Sequence, residues 1–204
     1  MRVIVAPRRE WDAATQWMLR AAYYVFLAVG IGALGYAGYA ELDTYTFQAV
    51  EKAKMEAFSV PAEPGPVVAT PVAEGGVIGE IEVARAGLKA IVVQGDSTKL
   101  LRRAVGHLPA TALPGEAGNV VLAGHRDGLF RPLREVLPGD TITLRTSARE
   151  FRYQVEWTAV VPPTAVRVIQ PTSERALTLV TCFPFYYVGA APERFVVRAR
   201  EVKQ

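Results

Sequence analysis

The sequence is poor in the residues that most often cross-link or catalyse. It has one cysteine, Cys182, and two histidines, His107 and His125, among 204 residues. One cysteine cannot close an intramolecular disulfide, so an exported domain with this sequence must fold without one. The net charge of +3 is spread along the chain, with no run of lysine or arginine and no stripe of basic and aromatic residues. A nucleic-acid partner is therefore not indicated.

Charged residues are also absent from one long segment, Ala21 to Ala40, "AAYYVFLAVGIGALGYAGYA". Twenty helical residues extend about 30 Å, the thickness of the hydrocarbon core of a bilayer. Arginines precede the segment, whereas Glu41 and Asp43 follow it. This asymmetry predicts a single-pass transmembrane helix at 21–40, with a cytoplasmic segment at 1–20 and the remainder outside the cytoplasm, on the far side of the plasma (inner) membrane.

This segment also allows two other interpretations. A cleaved signal peptide is one, because "AGYA" ends in a small residue. However, the apolar core of a signal peptide usually has only about 7–15 residues. A buried helix of a soluble protein is the other, but the segment has no amphipathic period. An uncleaved anchor is the favoured interpretation.

The segment 41–71 separates this anchor from the rest of the chain. Leu42 to Phe58 is polar and compatible with a helical stalk, and Ser59 to Pro71 is rich in proline. A proline-rich segment of this kind forms a semi-extended spacer rather than a packed core. The pattern therefore predicts a domain at 72–204 that is tethered at a distance from the membrane.

Short strand-like segments dominate this domain. Seven have the alternating or β-branched pattern of strands: 77–83, 88–95, 119–125, 140–146, 150–161, 176–182 and 194–202. In the fifth, one face is predicted to carry Phe151, Tyr153, Val155 and Trp157. Strands separated by turns favour an all-β barrel or sandwich, with a short helix within 97–105.

Three chemically useful side chains lie at the ends of these strands. His125 and Cys182 each follow an apolar strand, and Arg194 begins the last one. Taken singly, each has an ordinary explanation: a small buried thiol, a structural histidine and a solvated charge. Together they are the set that a thiol nucleophile needs, namely a group that moves protons and a cation for the oxyanion.

The motifs around these residues resemble a known family. "TLVTC" with an arginine twelve residues after the cysteine, and "GH" after an upstream apolar strand, resemble the sortases. The fuller strings "GHLPATALPGEAGNVVLAGHRD" and "TLVTCFPFYYVGAAPERF" are most similar to the class D sortases, and the resemblance extends from about Gly75 to Val202. It implies a closed eight-stranded β-barrel with short helices, preceded by a single N-terminal transmembrane helix.

The resemblance also implies roles for individual residues. Cys182 matches the nucleophile, His125 the general acid and base, and Arg194 the arginine that binds substrate and stabilises the oxyanion. Thr181 matches a threonine near the bound peptide.

Three further residues occupy similar sequence context and are expected at the substrate: His107, Asn119 and Asp127. Their alternative explanation is structural, in turns or in backbone hydrogen bonds. Some members of the family use calcium, but no compact acidic cluster indicates it here, so no cofactor or metal is expected.

The implied function is that of a membrane-anchored cysteine transpeptidase. It would cleave an LPxTG-like sorting signal through a thioacyl-enzyme and transfer the protein to an amine of a peptidoglycan precursor or a pilin. The mechanism needs a thiolate and an imidazolium together, and these groups ordinarily titrate near pH 8.5 and 6.5. A bell-shaped rate profile is therefore expected, and a rate that is flat from about pH 5 to 10 would contradict it.

Competing functions predict different patterns. L,D-transpeptidase-like enzymes place a histidine close before the cysteine, where this chain has "TLVTC". Papain-like hydrolases have the cysteine before the histidine, the reverse of the order here. The alternative from another class is a non-catalytic, membrane-tethered β-barrel that binds peptide or wall polymer.

Overall fold

The computed structural model describes residues 12–57, 72–187 and 189–202. The chain forms two compact units, Met1–Asp43 and Thr44–Gln204. Most of the predicted cytoplasmic segment and the whole proline-rich spacer at 59–71 lie outside the described residues.

The first element is helix α1, Ala13–Ala57, which has 45 residues. The backbone N–H of Thr15 donates to the Oδ1 of Asp12 at 2.9 Å, and such a side-chain cap satisfies a free N–H of the first turn. Among the described residues, α1 is the one helix that is long and apolar enough to cross a membrane, with a mean hydropathy of 1.5 in its best window. It contains the predicted span 21–40 and continues through most of the predicted helical stalk.

Eight strands form a closed barrel, which confirms the predicted fold. They are β1 Val77–Val83, β2 Leu88–Gln94, β3 Val105–His107, β4 Asn119–Ala123, β5 Thr141–Arg145, β6 Glu150–Val161, β7 Ala176–Phe183 and β8 Glu193–Glu201. Their order around the barrel is β1-β2-β3-β4-β7-β8-β6-β5. β2 with β3 and β4 with β7 are parallel, and the other pairs are antiparallel. Closure leaves no sheet edge unpaired.

Strand β3 was not among the seven predicted strands. The prediction of a helix in 97–105 was correct only for α2, Thr98–Leu101, while Val105 begins β3. Three residues with a central glycine are too short to show alternation. Gly106 is needed there because a Cβ would lie 2.4 Å from the carbonyl oxygen of Gly95.

Strand β6 also departs from the prediction at one position. Phe151, Tyr153 and Val155 point into the core, as expected. The register then shifts between Val155 and Trp157, so Trp157 lies outside and is 38% exposed. The extra residue of a β-bulge reverses the alternation beyond it, which a strict period of two cannot anticipate.

The last part of α1 packs against the barrel within the second unit. The side-chain amide of Gln48 accepts from the N–H of Ile91 at 2.7 Å and donates to the carbonyl of Arg103 at 2.6 Å. The guanidinium of Arg103 lies 4.5 Å from the ring centre of Phe47. Residues 44–57 therefore support strand β2 and the turn after α2.

Candidate active site

Cys182 and Arg194 face each other across two paired strands. They are direct partners in the antiparallel register of β7 and β8. Leu177 and Leu179 of β7 fill the core at 0% exposure. Because side chains alternate, Cys182 lies on the opposite, outer face, where directly paired residues have Cβ atoms about 5 Å apart. Both residues are half-buried.

His125 follows β4, the strand next to β7. β4 is parallel to β7, and its last pair is Ala123 with Val180. The N–H of Gly124 then donates to the carbonyl of Val180 at 3.3 Å. His125, also half-buried, is the next residue and follows β4 at the end of the sheet that carries Cys182. Strand pairing thus gathers the histidine, the thiol and the guanidinium at one end of three adjacent strands.

The glycine of the "GH" motif has a packing reason. A Cβ on Gly124 would lie 2.8 Å from the ring of Phe130, which is completely buried. The chain then turns back, because the carbonyl of His125 accepts from the N–H groups of Gly128 and Phe130. Only glycine lets this aromatic ring cover the backbone beside His125 and hold the turn that follows it.

The guanidinium of Arg194 is already oriented by its own loop. Its Nη1 donates to the carbonyls of Ala191 and Glu193 at 3.2 and 2.9 Å. Arginine has five N–H donors, so three more can serve a substrate oxygen. This arrangement suits the stabilisation of an anion that forms beside the sulfur.

The aromatic rings near the site pack at the end of the barrel core, on the face opposite Cys182. The ring of Phe185 lies 5.9 Å from Phe183 and 5.3 Å from Phe195, both in edge-on contact. Val180 lies on the outer face two residues before Cys182, and it pairs with Val196. These two valines make the outer face beside the thiol apolar, and such a surface suits a peptide.

Arg126 connects the histidine segment with the loop after Cys182. One of its nitrogens, Nη2, donates to the carbonyls of Tyr187 and Gly189 at 2.7 and 2.9 Å. Its guanidinium also lies 5.6 Å from the ring centre of Tyr187. Sequence reasoning did not single out Arg126, although its place directly after the histidine was a usable signal.

Thr181 and Asp127 differ in their surroundings. Thr181 is buried, at 2% exposure, and its Oγ1 donates to the carbonyl of Gly124 at 2.8 Å. It therefore ties β7 to the residue that precedes His125. Asp127 is exposed in the turn after His125. The substrate contacts expected of both residues stay predictions.

His107 lies in β3, buried at 1% exposure. Its Nε2 donates to the carbonyl of Ala112 at 2.9 Å, and its Nδ1 lies 2.9 Å from the Oε1 of Gln94. Burial lowers the pKa of His107, and the hydrogen bond to Ala112 and the charge of Glu116 oppose that effect. These contacts give His107 a structural role in holding the loop after β3, and they leave its ring no surface for a peptide.

Asn119 begins β4 and is also buried at 1% exposure. Its side chain bonds to Thr178 and to the backbone of the loop between β6 and β7. The side chain of Asn119 is therefore engaged within the protein, and the substrate contact expected of it stays a prediction. In the parts of the chain that the structure describes, no three His, Cys, Asp or Glu side chains group closely enough to hold a metal ion. Independence from calcium stays a prediction.

The fold and this site define a β-barrel protein with a half-exposed thiol centre of the kind used in acyl transfer. Comparison with known proteins gives the family. The sortase domain family matches residues 81–202. The chain is 32% identical to sortase D of Bacillus subtilis over 188 residues, which are 86% of this chain and 95% of that protein.

Solved structures agree with this match. A sortase D5 transpeptidase of Clostridium perfringens superposes with a TM-score of 0.60 at 28% identity, over 65% of this chain and 83% of that one. A sortase A of Actinomyces oris gives the same TM-score at 28% identity, over 70% and 89% of the two chains. The chain belongs to the sortase family, whose members are cysteine transpeptidases, and the resemblance to class D sortases is confirmed.

Proposed function

We propose that this protein is an active, membrane-anchored transpeptidase. It cleaves an LPxTG-like sorting signal at Cys182 and passes the acyl group to an amine of a peptidoglycan precursor or a pilin. The observation that carries the proposal is the register of β4, β7 and β8, which pairs Cys182 directly with Arg194 and ends β4 on the same side of the sheet, two residues before His125.

The first half-reaction follows from these positions. The Cys182 thiolate attacks the carbonyl carbon of the threonine-like residue, and the negative charge moves to the carbonyl oxygen. Arg194 lies on the partner strand and stabilises that oxyanion. The C–N bond then breaks, and His125 as imidazolium gives its proton to the departing amine. A thioester on Cys182 is left.

The second half-reaction reverses the same steps with a new amine. The incoming amine attacks the thioester carbonyl and loses a proton to His125, and the thiolate of Cys182 leaves. Val180 and Val196, on the same face as Cys182, provide apolar surface beside the thioester, which slows its loss to water.

The membrane arrangement is part of the proposal. Helix α1 would cross the membrane with residues 1–20 in the cytoplasm and hold the barrel outside, where sorting-signal proteins and wall precursors meet.

Trapping the thioacyl-enzyme tests the proposal. The full-length chain in detergent is incubated with an LPxTG-containing peptide library without an amine, and intact mass is measured. An adduct on Cys182 is expected, which disappears on adding a glycine amine as the transfer product forms. Cys182→Ala is the control and should give neither adduct nor product. Binding of peptides without any adduct or cleavage would contradict the proposal and favour a non-catalytic peptide-binding barrel.

A further inference from the structure

A buried polar network occupies the ends of β4 and β7 that lie away from Cys182. Asn119 is 1% exposed and Thr178 is 0% exposed. The hydroxyl of Thr178 donates to the Oδ1 of Asn119 at 2.6 Å. The Nδ2 of Asn119 donates to the carbonyls of Val168 and Gln170, each at 3.2 Å. The side chain of Asn119 is therefore satisfied at both its oxygen and its nitrogen.

The network fixes the orientation of the amide. Because Thr178 supplies a proton to Oδ1, the two N–H groups of Asn119 must face the two carbonyls. Those carbonyls belong to the short 3₁₀ helix Val166–Ile169 and its C-cap Gln170, in the connection between β6 and β7. A buried hydrogen bond whose partner is lost leaves an unsatisfied group, so this network strongly favours one position of the connection.

Arg198 holds the same helix from the other side. Its Nη2 donates to the carbonyl of Val168 at 3.0 Å, and its guanidinium lies 5.8 Å from the ring centre of Trp157. Arg198 is the direct partner of Thr178 in the β7–β8 register. The carbonyl of Val168 thus receives donors from β4 and from β8, and the helix is held over the outer face of β7 between them.

This outer face is the one that carries Cys182. Val121 and Val196 lie on it and are 0% exposed, although they are not part of the barrel core. Thr178 precedes Cys182 by four residues on the same face, which corresponds to about 13 Å along the strand. The 3₁₀ helix therefore forms a wall at a set distance from the thiol, with Val180 and Val196 on the floor between.

We propose that Asn119 is a positioning residue for substrate binding. Its amide, oriented by Thr178, holds the wall Val166–Ile169 and so sets the width of the peptide groove. This inference rests on the proposed function, because it assigns to Asn119 an effect on the affinity for the sorting peptide rather than on the chemistry at Cys182.

Asn119→Asp tests the inference, since the carboxylate has the same shape but cannot donate to the two carbonyls. In the full-length chain we expect KM for the sorting peptide to rise about ten- to a hundred-fold, with kcat changed less than about three-fold. Hydrogen exchange at the amides of Val168 and Gln170, which are bonded within the wall, should accelerate. Alkylation of Cys182 by iodoacetamide should keep its rate.

Val83→Ala is the matched control, because Val83 is completely buried in β1 and its loss destabilises the barrel without touching the wall. It should leave KM and the exchange of Val168 unchanged. If Asn119→Asp does not fold, Arg198→Met provides a second test. It removes the other hydrogen-bond donor to the carbonyl of Val168, and it should also raise KM, but by a smaller factor.

The outcomes separate the two proposals. An active wild-type enzyme whose KM is unchanged in Asn119→Asp overturns the inference and leaves the function intact. Equal changes in KM for Asn119→Asp and Val83→Ala overturn it as well, because the effect would then be general destabilisation. A wild-type chain that forms no acyl-enzyme overturns the proposed function. The inference then survives only if Asn119→Asp weakens peptide binding and accelerates exchange in the wall.

Discussion

The two ends of strands β4 and β7 carry polar residues of very different kinds. At the proposed catalytic end, His125, Cys182 and Arg194 are half-buried. At the anchored end, Asn119 and Thr178 are buried at 1% and 0% exposure, and they bond to each other and to backbone carbonyls.

The difference shows how one sheet serves two purposes. Groups that must exchange protons with a substrate need access and spare hydrogen-bonding capacity, whereas groups that hold a loop need burial and complete satisfaction. Between the two ends, the outer face carries short apolar side chains such as Val180 and Val196. A peptide can therefore lie along this face. The comparison predicts that variants at the catalytic end lower kcat. Variants at the anchored end should instead lower the stability of the barrel or its affinity for the sorting peptide.

His125→Ala should have the largest effect. Loss of the proton-transferring group should lower kcat/KM for the sorting peptide by about 10²–10⁴-fold. The unfolding midpoint in urea should stay close to that of the unaltered chain, because His125 is half-exposed. Steady-state transpeptidation with a glycine amine measures kcat/KM. Tryptophan fluorescence in a urea titration measures the unfolding midpoint. A fall in stability with activity preserved would reverse the assignment of the two ends.

Arg194→Ala should rank next, with a loss of about 10²–10³-fold in kcat from the missing oxyanion donor. Arg200→Ala is the matched control. Arg200 lies on the same strand and the same face, but it is exposed and paired with Glu156 at 3.2 Å. Its replacement should leave kcat within about two-fold, because a surface ion pair contributes little. Similar losses of kcat in Arg194→Ala and Arg200→Ala would mean that the place of Arg194 opposite Cys182 does not matter for catalysis.

Thr178→Val should act on stability at the anchored end. The change keeps the shape but removes the donor to the Oδ1 of Asn119. We expect the free energy of unfolding to fall by about 1–3 kcal/mol, the usual cost of a buried group left without its partner. Urea titration of the full-length chain measures this value. Unaltered stability would show that the amide of Asn119 needs no orienting hydroxyl.

His107→Gln should have the smallest effect, visible as a pH dependence. Burial lowers the pKa of His107, so between that lowered value and about 6.5 the unfolded chain binds more protons than the folded one. Stability contributed by the neutral ring is therefore complete above about pH 6.5 and decreases as the pH falls, by at most about 1.4 kcal/mol per pH unit for one proton. Glu116 attracts the charged ring and opposes this trend.

Urea midpoints of the unaltered chain and of His107→Gln at pH 7.5 and 5.5 measure that contribution. The decrease between the two pH values should be smaller in the variant. An identical decrease would contradict the contribution assigned to His107.

Much of this protein could be predicted from its sequence. The apolar run, the seven strands and the motifs around His125 and Cys182 were recognised, because burial and turn chemistry leave local patterns. The short strand β3 was missed, and Trp157 was placed on the wrong face, because neither a three-residue pairing nor a bulge leaves such a pattern.

The sequence by itself determined the class of fold and the single thiol, since apolar periodicity and residue chemistry are properties of neighbouring positions. Only the tertiary structure decided that His107 is enclosed and which groups Asn119 contacts. His107 and His125 follow similar glycines in the sequence, yet one is enclosed by Gln94 and Ala112 and the other is half-buried beyond the end of β4. Strand register joins residues that are more than fifty positions apart, and local sequence contains no record of that pairing.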